Sequence, residues 1–190
     1  MRVRKLVILI AAFAMTACSS APSSKSYYQL PTAAGVMTQK SNIPAERQIQ
    51  LTGVNVADYL NGLGIVYQTS DVQFVMANNN LWAGSLQQQL QQSLMDNLNA
   101  DLPGWIVTNH STGDGEKTLS VNVAAFHGRY DGTVVVRGDW ILTDRTNTLT
   151  RSFDILLSQT DDGYDSLVRA LAKAWRQQNE QMAQTIAGVN

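Results

Sequence analysis

One thiol and two imidazoles are the side chains in this chain best suited to nucleophilic, redox or metal chemistry. His110 and His127 stand far apart, and neither lies at ligand spacing from another histidine, a cysteine or a carboxylate. A metal site needs three or four convergent ligands, so no bound metal and no dissociable cofactor is expected. The stretch His127-Gly128-Arg129-Tyr130-Asp131 reads as a polar hairpin tip without an identifiable nucleophile. Gly113-Asp114-Gly115 and Asp161-Asp162-Gly163 read as turns rather than calcium loops, and no GxSxG, HExxH or P-loop pattern occurs. No catalytic set emerges, and the chain is expected not to be an enzyme. The remaining chemistry is concentrated at Cys18, which closes the run Ala14-Met15-Thr16-Ala17-Cys18.

What precedes Cys18 has the layout of a secretory signal. Arg2, Arg4 and Lys5 form a charged start, and Leu6 to Met15 is apolar and ends in small residues. Ten apolar residues rise only about 15 Å as a helix, half the hydrocarbon thickness of a bilayer, so the stretch is too short to span. A small residue before a lone cysteine resembles the lipobox of bacterial lipoproteins. That resemblance implies cleavage between Ala17 and Cys18, a diacylglycerol on the Cys18 sulfur and an N-acyl chain such as palmitate on its new amino terminus. Each buried methylene contributes about 0.8 kcal/mol, so three chains would hold the protein permanently where one chain binds only marginally. Ser19, where an inner-membrane lipoprotein would carry Asp, resembles the outer-membrane sorting class.

Residues 1–17 are therefore assigned to a signal peptide, 18–26 to a lipidated amino terminus with a flexible tether, and 27–190 to one periplasmic domain. The tether is small, polar and interrupted by Pro22. With its sole thiol acylated, the body has no disulfide to form and must rely on a packed core. Hydrophobic residues make up 44% of the chain, enough for such a core, while only 15% are charged against about 25% in an average domain. Removing Arg2, Arg4 and Lys5 leaves 11 basic against 15 acidic side chains, a net charge of −4. Nucleic-acid binding is excluded as a class, because neutralising phosphates requires clustered Lys and Arg.

The elements that must position any working surface are legible as hydrophobic periods. Tyr27 to Leu30 is a short strand stopped by Pro31, and Thr32 to Glu46 reads as a loop. Ile49 and Leu51 share one strand face, Val54 and Val56 the opposite parity, with a bulge expected near Gly53. Asp58 to Gly62 turns the chain, and Ile65–Tyr67 and Val72–Met76 are further short strands. Leu86, Leu90, Leu94 and Leu98 predict an amphipathic helix of about four turns, capped by Asn79 or Asn80 and ended by Pro103 and Gly104. After a short Trp105–Val107 stretch, alternation over 119–125, 134–142 and 149–157 predicts an antiparallel meander with one face free for helices. Leu167, Leu171, Trp175, Gln178, Met182 and Ile186 form one stripe of a long final helix. The fold class is α+β: a single two-layer domain, a mainly antiparallel sheet with two long amphipathic helices packed against it.

In that order the landmarks resemble the PqiC family of ABC-type transport auxiliary lipoproteins. The likeness rests on Tyr28-Gln29-Leu30 after the tether, on Val54-Asn55-Val56-Ala57-Asp58-Tyr59-Leu60 before Ile65-Val66-Tyr67, on Leu81-Trp82-Ala83-Gly84-Ser85-Leu86 at the opening of the first helix, and on Val121-Asn122-Val123 through Phe126 to Val134 and Trp140. Family members often have proline where Ala57 stands, which leaves the turn before Tyr59 and Leu60 less fixed here. The resemblance implies a partner rather than a substrate. It implies an outer-membrane lipoprotein that docks a periplasmic MCE-domain tunnel protein of the PqiB type, within a system moving lipids between membranes and preserving envelope integrity. A homo-oligomer around the tunnel end fits that geometry. The alternative is a carrier that itself holds a lipid or small apolar ligand.

Trp82, Tyr59 and Leu60 are the landmarks that serve either as partner contacts or as packing, and packing is favoured for Trp82. Trp140 and Trp175 read as core. Tyr27 and Tyr28 are suited equally to a membrane interface near the anchor or to a first strand using both faces.

Overall fold

Alternation of inward and outward residues, broken once by a bulge in the first strand, gives three long antiparallel strands within 117–158, and every other strand is arranged around the first of them. The structure, a computed structural model, describes residues 24–31, 43–111, 113 and 116–188. The elements in chain order are β1 (Ser26–Tyr28), β2 (Gln48–Val56), β3 (Gly64–Gln68), β4 (Phe74–Trp82), α1 (Leu86–Asp101), β5 (Ile106–Thr108), β6 (Lys117–Arg129), β7 (Thr133–Thr143), β8 (Thr148–Ser158) and α2 (Tyr164–Ala187). Together they make the expected α+β domain, an eight-stranded sheet with both helices on one face. Residues 18–23 of the tether and most of the Thr32–Glu46 segment lie outside the described residues, and Ser26, read as the last tether residue, is already the first of β1.

β7 pairs antiparallel along β6, and β8 antiparallel along β7, in register from Thr133↔Ser158 to Thr143↔Thr148. The other edge of β6 is shared. β2 runs parallel to its first half, Ile49↔Lys117 to Val56↔Val123, and β3 joins parallel at its end through Tyr67↔Gly128 and Gln68↔Arg129. β5 extends the sheet beyond β2, and β4 beyond β3, with β1 parallel to the end of β4. The β6–β8 meander and the β3–β4 pair are antiparallel; β1–β4, β2–β5, β2–β6 and β3–β6 pair in parallel, which turn signals alone do not reveal.

Bulges set which side each residue faces. In β2 the register slips between Leu51 and Gly53, and the extra residue Thr52 turns its hydroxyl to donate to the Leu119 carbonyl at 3.0 Å. Ile49, Leu51 and Val54 are thereby all buried, as the change of parity at Gly53 predicts. In β6 the slip lies between Val123 and Ala125.

The start of the first helix differs from the sequence reading. The short Val72–Met76 strand begins at Phe74 and continues through Asn78-Asn79-Asn80 to Trp82, so neither Asn79 nor Asn80 is a cap and Trp82 ends a strand instead of opening a helix. Asparagine is a poor strand residue, but pairing with β1 and β3 outweighs that preference. Tyr28 donates its hydroxyl to Asn80 Oδ1 at 3.2 Å, and the Trp82 N–H donates to the Leu63 carbonyl at 2.7 Å. Ser85 is the true cap, its hydroxyl oxygen accepting from the Gln88 N–H.

The core lies between sheet and helices. Leu90, Leu94 and Leu98 of α1 and Leu171, Ala174, Met182 and Ile186 of α2 expose essentially nothing, and Phe153 stacks at a tilt on Trp175. Where the helices meet, the buried Asn179 amide oxygen accepts from Asn97 Nδ2 at 2.9 Å and from Trp175 Nε1 at 3.3 Å. Arg176 joins the same seam from its rim, pairing with Asp101 at 2.7 Å and Glu180 at 2.9 Å.

Gly138 marks the tightest approach in the sheet. A Cβ there would run into the Asn122 carbonyl oxygen and lie 2.7 Å from the Phe153 ring. Gly138→Ala is expected to lower stability by about 1–3 kcal/mol, as overpacking of a full core does, read as a lower urea midpoint at unchanged m-value.

Candidate docking surfaces

The structure separates the landmarks. Ala17 and Cys18 lie outside the described residues. Leu60 closes a short 3-10 turn, Asp58–Leu60, and is buried in the core. Trp82 is 2% exposed and packs on Phe126, ring centroids 6.2 Å apart. Both are therefore placed as packing residues, and Trp140 and Trp175 are buried as expected.

Tyr59 points the other way. The Asp58–Leu60 turn fills the gap on the edge of β6 between β2 and β3, and the bulged Ala124 leaves its carbonyl turned towards that gap. The Tyr59 hydroxyl donates to this carbonyl at 3.0 Å, and the Ala57 N–H donates to Val123 O at 3.0 Å. The Tyr59 ring thus lies over the face of the sheet opposite the helices, 5.2 Å from Phe74 and 6.2 Å from His127. Phe74 meets His127 edge-on at 5.0 Å.

His127 is not at a hairpin tip, a correction to the sequence reading. The tip is Tyr130–Gly132, where Gly132 adopts φ of 77° and Asp131 accepts from the Thr133 N–H and hydroxyl. His127 lies inside β6, opposite Val135, and is 4% exposed. The bulge at Ala124 is responsible: it reverses parity, so that Phe126 and Gly128 continue the core face while Ala125 and His127 turn outward. Beside them Phe74, Val135 and Tyr59 form a small second cluster. Burial lowers the His127 pKa below its ordinary 6.5, with the Arg129 and Arg137 charges adding to the shift and the Gly128 carbonyl opposing it. Burial also raises the Tyr59 phenol. Sequence reading did not find this cluster, although the unbroken Val134-Val135-Val136 run in an otherwise alternating strand is its trace.

A depression of about 390 Å³ opens beside the cluster, lined by Gln68, Arg129 and Arg137 as well as its aromatic rings. Both cations are already compensated, Arg129 by Asp131 at 3.0 Å and Arg137 by Asp154 at 2.9 Å. Among the described residues no three histidine, cysteine or acidic side chains gather as a metal-ligand set.

Two strand edges complete the surface. Along β8 the described residues pair on one side only, and this edge strand carries Arg151 and Asp154. Among the described residues the stretch of β4 before Asn80 has no partner on the side where β1 lies, and from Val72 to Trp82 there is no charge and no proline. Native proteins usually blunt an open edge with such residues.

Comparison with known proteins places this architecture. The family model for ABC-type transport auxiliary lipoprotein components matches residues 28–183. The Intermembrane transport lipoproteins PqiC of Escherichia coli K12 and Shigella flexneri are each 45% identical over 183 residues, 96% of this chain and 97% of theirs. A crystal structure of an uncharacterized protein is 46% identical, with a TM-score of 0.77, covering 86% of this chain and 99% of its own. Protein XCC0632 from Xanthomonas campestris shares the fold at 13% identity, with a TM-score of 0.65 over 85% of this chain and 95% of its own.

Trp82→Ala is expected to cost about 3–5 kcal/mol, as a large aromatic truncated in a core does; near-native melting with loss of partner binding would assign it to a groove instead. The low His127 pKa makes stability depend on pH. Above pH 6.5 both folded and unfolded states hold the ring neutral. As pH falls below 6.5 the unfolded state takes up the proton first, so stability is lost until the lowered folded pKa is passed. The urea midpoint should therefore fall between neutral and mildly acidic pH, and His127→Gln should flatten that slope.

Proposed function

Because the chain belongs to the family of ABC-type transport auxiliary lipoproteins, we propose that it is a non-enzymatic docking subunit, anchored in the outer membrane by acylated Cys18, for a periplasm-spanning MCE-type lipid transport complex. Its role in transport as a lipoprotein auxiliary follows from the family; the docking role, the anchor and the PqiB-type tunnel partner are our reading. The observation that carries the reading is the full-length likeness to the PqiC lipoproteins, together with a body whose interior is filled and whose distinctive features are all on the surface.

A carrier needs an apolar chamber of roughly 300–1,000 Å³ that encloses its ligand. Here the space between sheet and helices is occupied by Leu90, Leu94, Leu98, Leu171 and Met182, each fully buried. The outer aromatic cluster and the open strand edges are the features a docking subunit uses, since an edge offers unpaired amides and carbonyls to an incoming strand. A lipid anchor then confines this surface to a plane and raises its effective concentration towards a partner crossing the periplasm.

Pull-down of the periplasmic MCE-domain tunnel protein by the acylated chain at near-physiological salt is expected to succeed. Absence of binding would overturn the docking role, and a lipid retained by the protein in native mass spectrometry would favour the carrier.

A further inference from the structure

The exposed apolar residues are not scattered evenly. Val72 is 84% exposed, and Phe74, Val75 and Met76 are between 39% and 50% exposed, although they occupy both faces of one strand. They lie at the start of β4, where its edge is open, and the nearest charge along the strand is Asp71 at the turn. The register Gln68↔Phe74 and Gln68↔Arg129 brings the next turn to the same end of the sheet, where Tyr130 is half exposed against the Arg129 guanidinium at 5.7 Å.

The direction of β1 points to what covers this end. β1 is parallel to β4 with Ser26 beside Asn80, so tracing the chain back from Ser26 follows β4 back towards Phe74. Eight steps of chain separate Ser26 from Cys18, and six separate Asn80 from Phe74, where β4 begins. At about 3.3 Å per extended residue, the first allows a reach of about 26 Å and the second is a length of about 20 Å. The tether is therefore long enough to bring Cys18 to the Phe74 end of β4. The uncharged stretch suits hydrocarbon and lipid interface, and Tyr130 supplies the amphipathic ring that such interfaces favour.

We propose that the Val72–Met76 end of β4, with Tyr130 beside it, rests on the phospholipid leaflet that holds acylated Cys18. The proposal rests on the anchor reading above. It sets the body end-on to the membrane, with the β7–β8 turn, Asp144–Asn147, at the far end of the sheet. Because the anchor keeps the patch beside the leaflet, a weak apolar contact is enough to orient the molecule.

The test uses the full acylated chain in vesicles of phosphatidylethanolamine and phosphatidylglycerol. An environment-sensitive fluorophore is attached to Val72→Cys, Met76→Cys or Arg145→Cys; the acylated Cys18 sulfur is a thioether and does not react. Positions 72, 76 and 145 are all exposed, so the label does not disturb the core. Emission from 72 and 76 is expected to shift to the blue and to be quenched by doxyl-labelled lipid, while 145 stays unquenched. Unquenched emission at 72 and 76 overturns the proposal, and a blue shift without lipid quenching overturns it by showing a protein on the patch, whether a second copy or a partner strand. The intact mass of each preparation separates the two readings: an unacylated mass removes anchor and surface together, whereas an acylated mass with unquenched probes removes only the surface.

Discussion

A strand has only two edges, and β6 must serve three neighbours. β7 takes one edge over nearly its whole length, so β2 and β3 have to divide the other. That division leaves a gap in the ladder where β2 has ended and β3 has not begun, and the Ala124 carbonyl there has no strand partner to accept from. The bulge at Ala124 and the Asp58–Leu60 turn are the joint solution. The turn sends Leu60 into the core and Tyr59 over the outer face, and the Tyr59 hydroxyl takes the Ala124 carbonyl. The same bulge reverses the side-chain parity and puts His127 outside. The outer cluster is thus a by-product of how the sheet closes its gap.

Between the helices a different constraint operates. Leucine stripes alone pack in several registers, because one apolar contact is much like the next. The Asn97–Asn179–Trp175 bonds exist in one register only, and a slip by a turn would strand buried amides without partners. The Arg176–Asp101 pair fastens the rim of the same seam, and Glu180, one turn on in the same helix, holds the guanidinium in place. Polar groups here specify the pairing that the leucines stabilise.

The long periodic elements were legible because period and burial agree in them. Leu86 through Leu98, Leu167 through Ile186, and the β6–β8 meander have the faces their alternation predicts, and the bulge by Gly53 followed from its change of parity. The start of α1 was misread from its asparagines, although Ser85 followed three residues later by Gln88 is the usual signature of a helix start. Strand partnership was not legible either: nothing local in Gln48–Val56 says that its partner lies beyond residue 116. Of the candidate site residues, Trp82 and Leu60 read correctly as able to pack, whereas the company of Tyr59 depended on a bulge far away in the chain. The double-sided β4 edge escaped notice because single exposed apolar residues carry little signal until the sheet places them together.

The parallel pairing of β2 with β6 also bears on how such a chain is made. A polypeptide made amino terminus first exposes β2, β3 and β4 before β6, the shared partner of β2 and β3, has emerged. Loop-closure entropy over that separation makes such non-local pairing slow, and unpaired strands are the species that aggregate. Until residue 129 is clear, the uncharged β4 has only β3 and the three residues of β1 to lie against. The topology therefore leaves the first half of the chain without its long-range pairing until the meander closes.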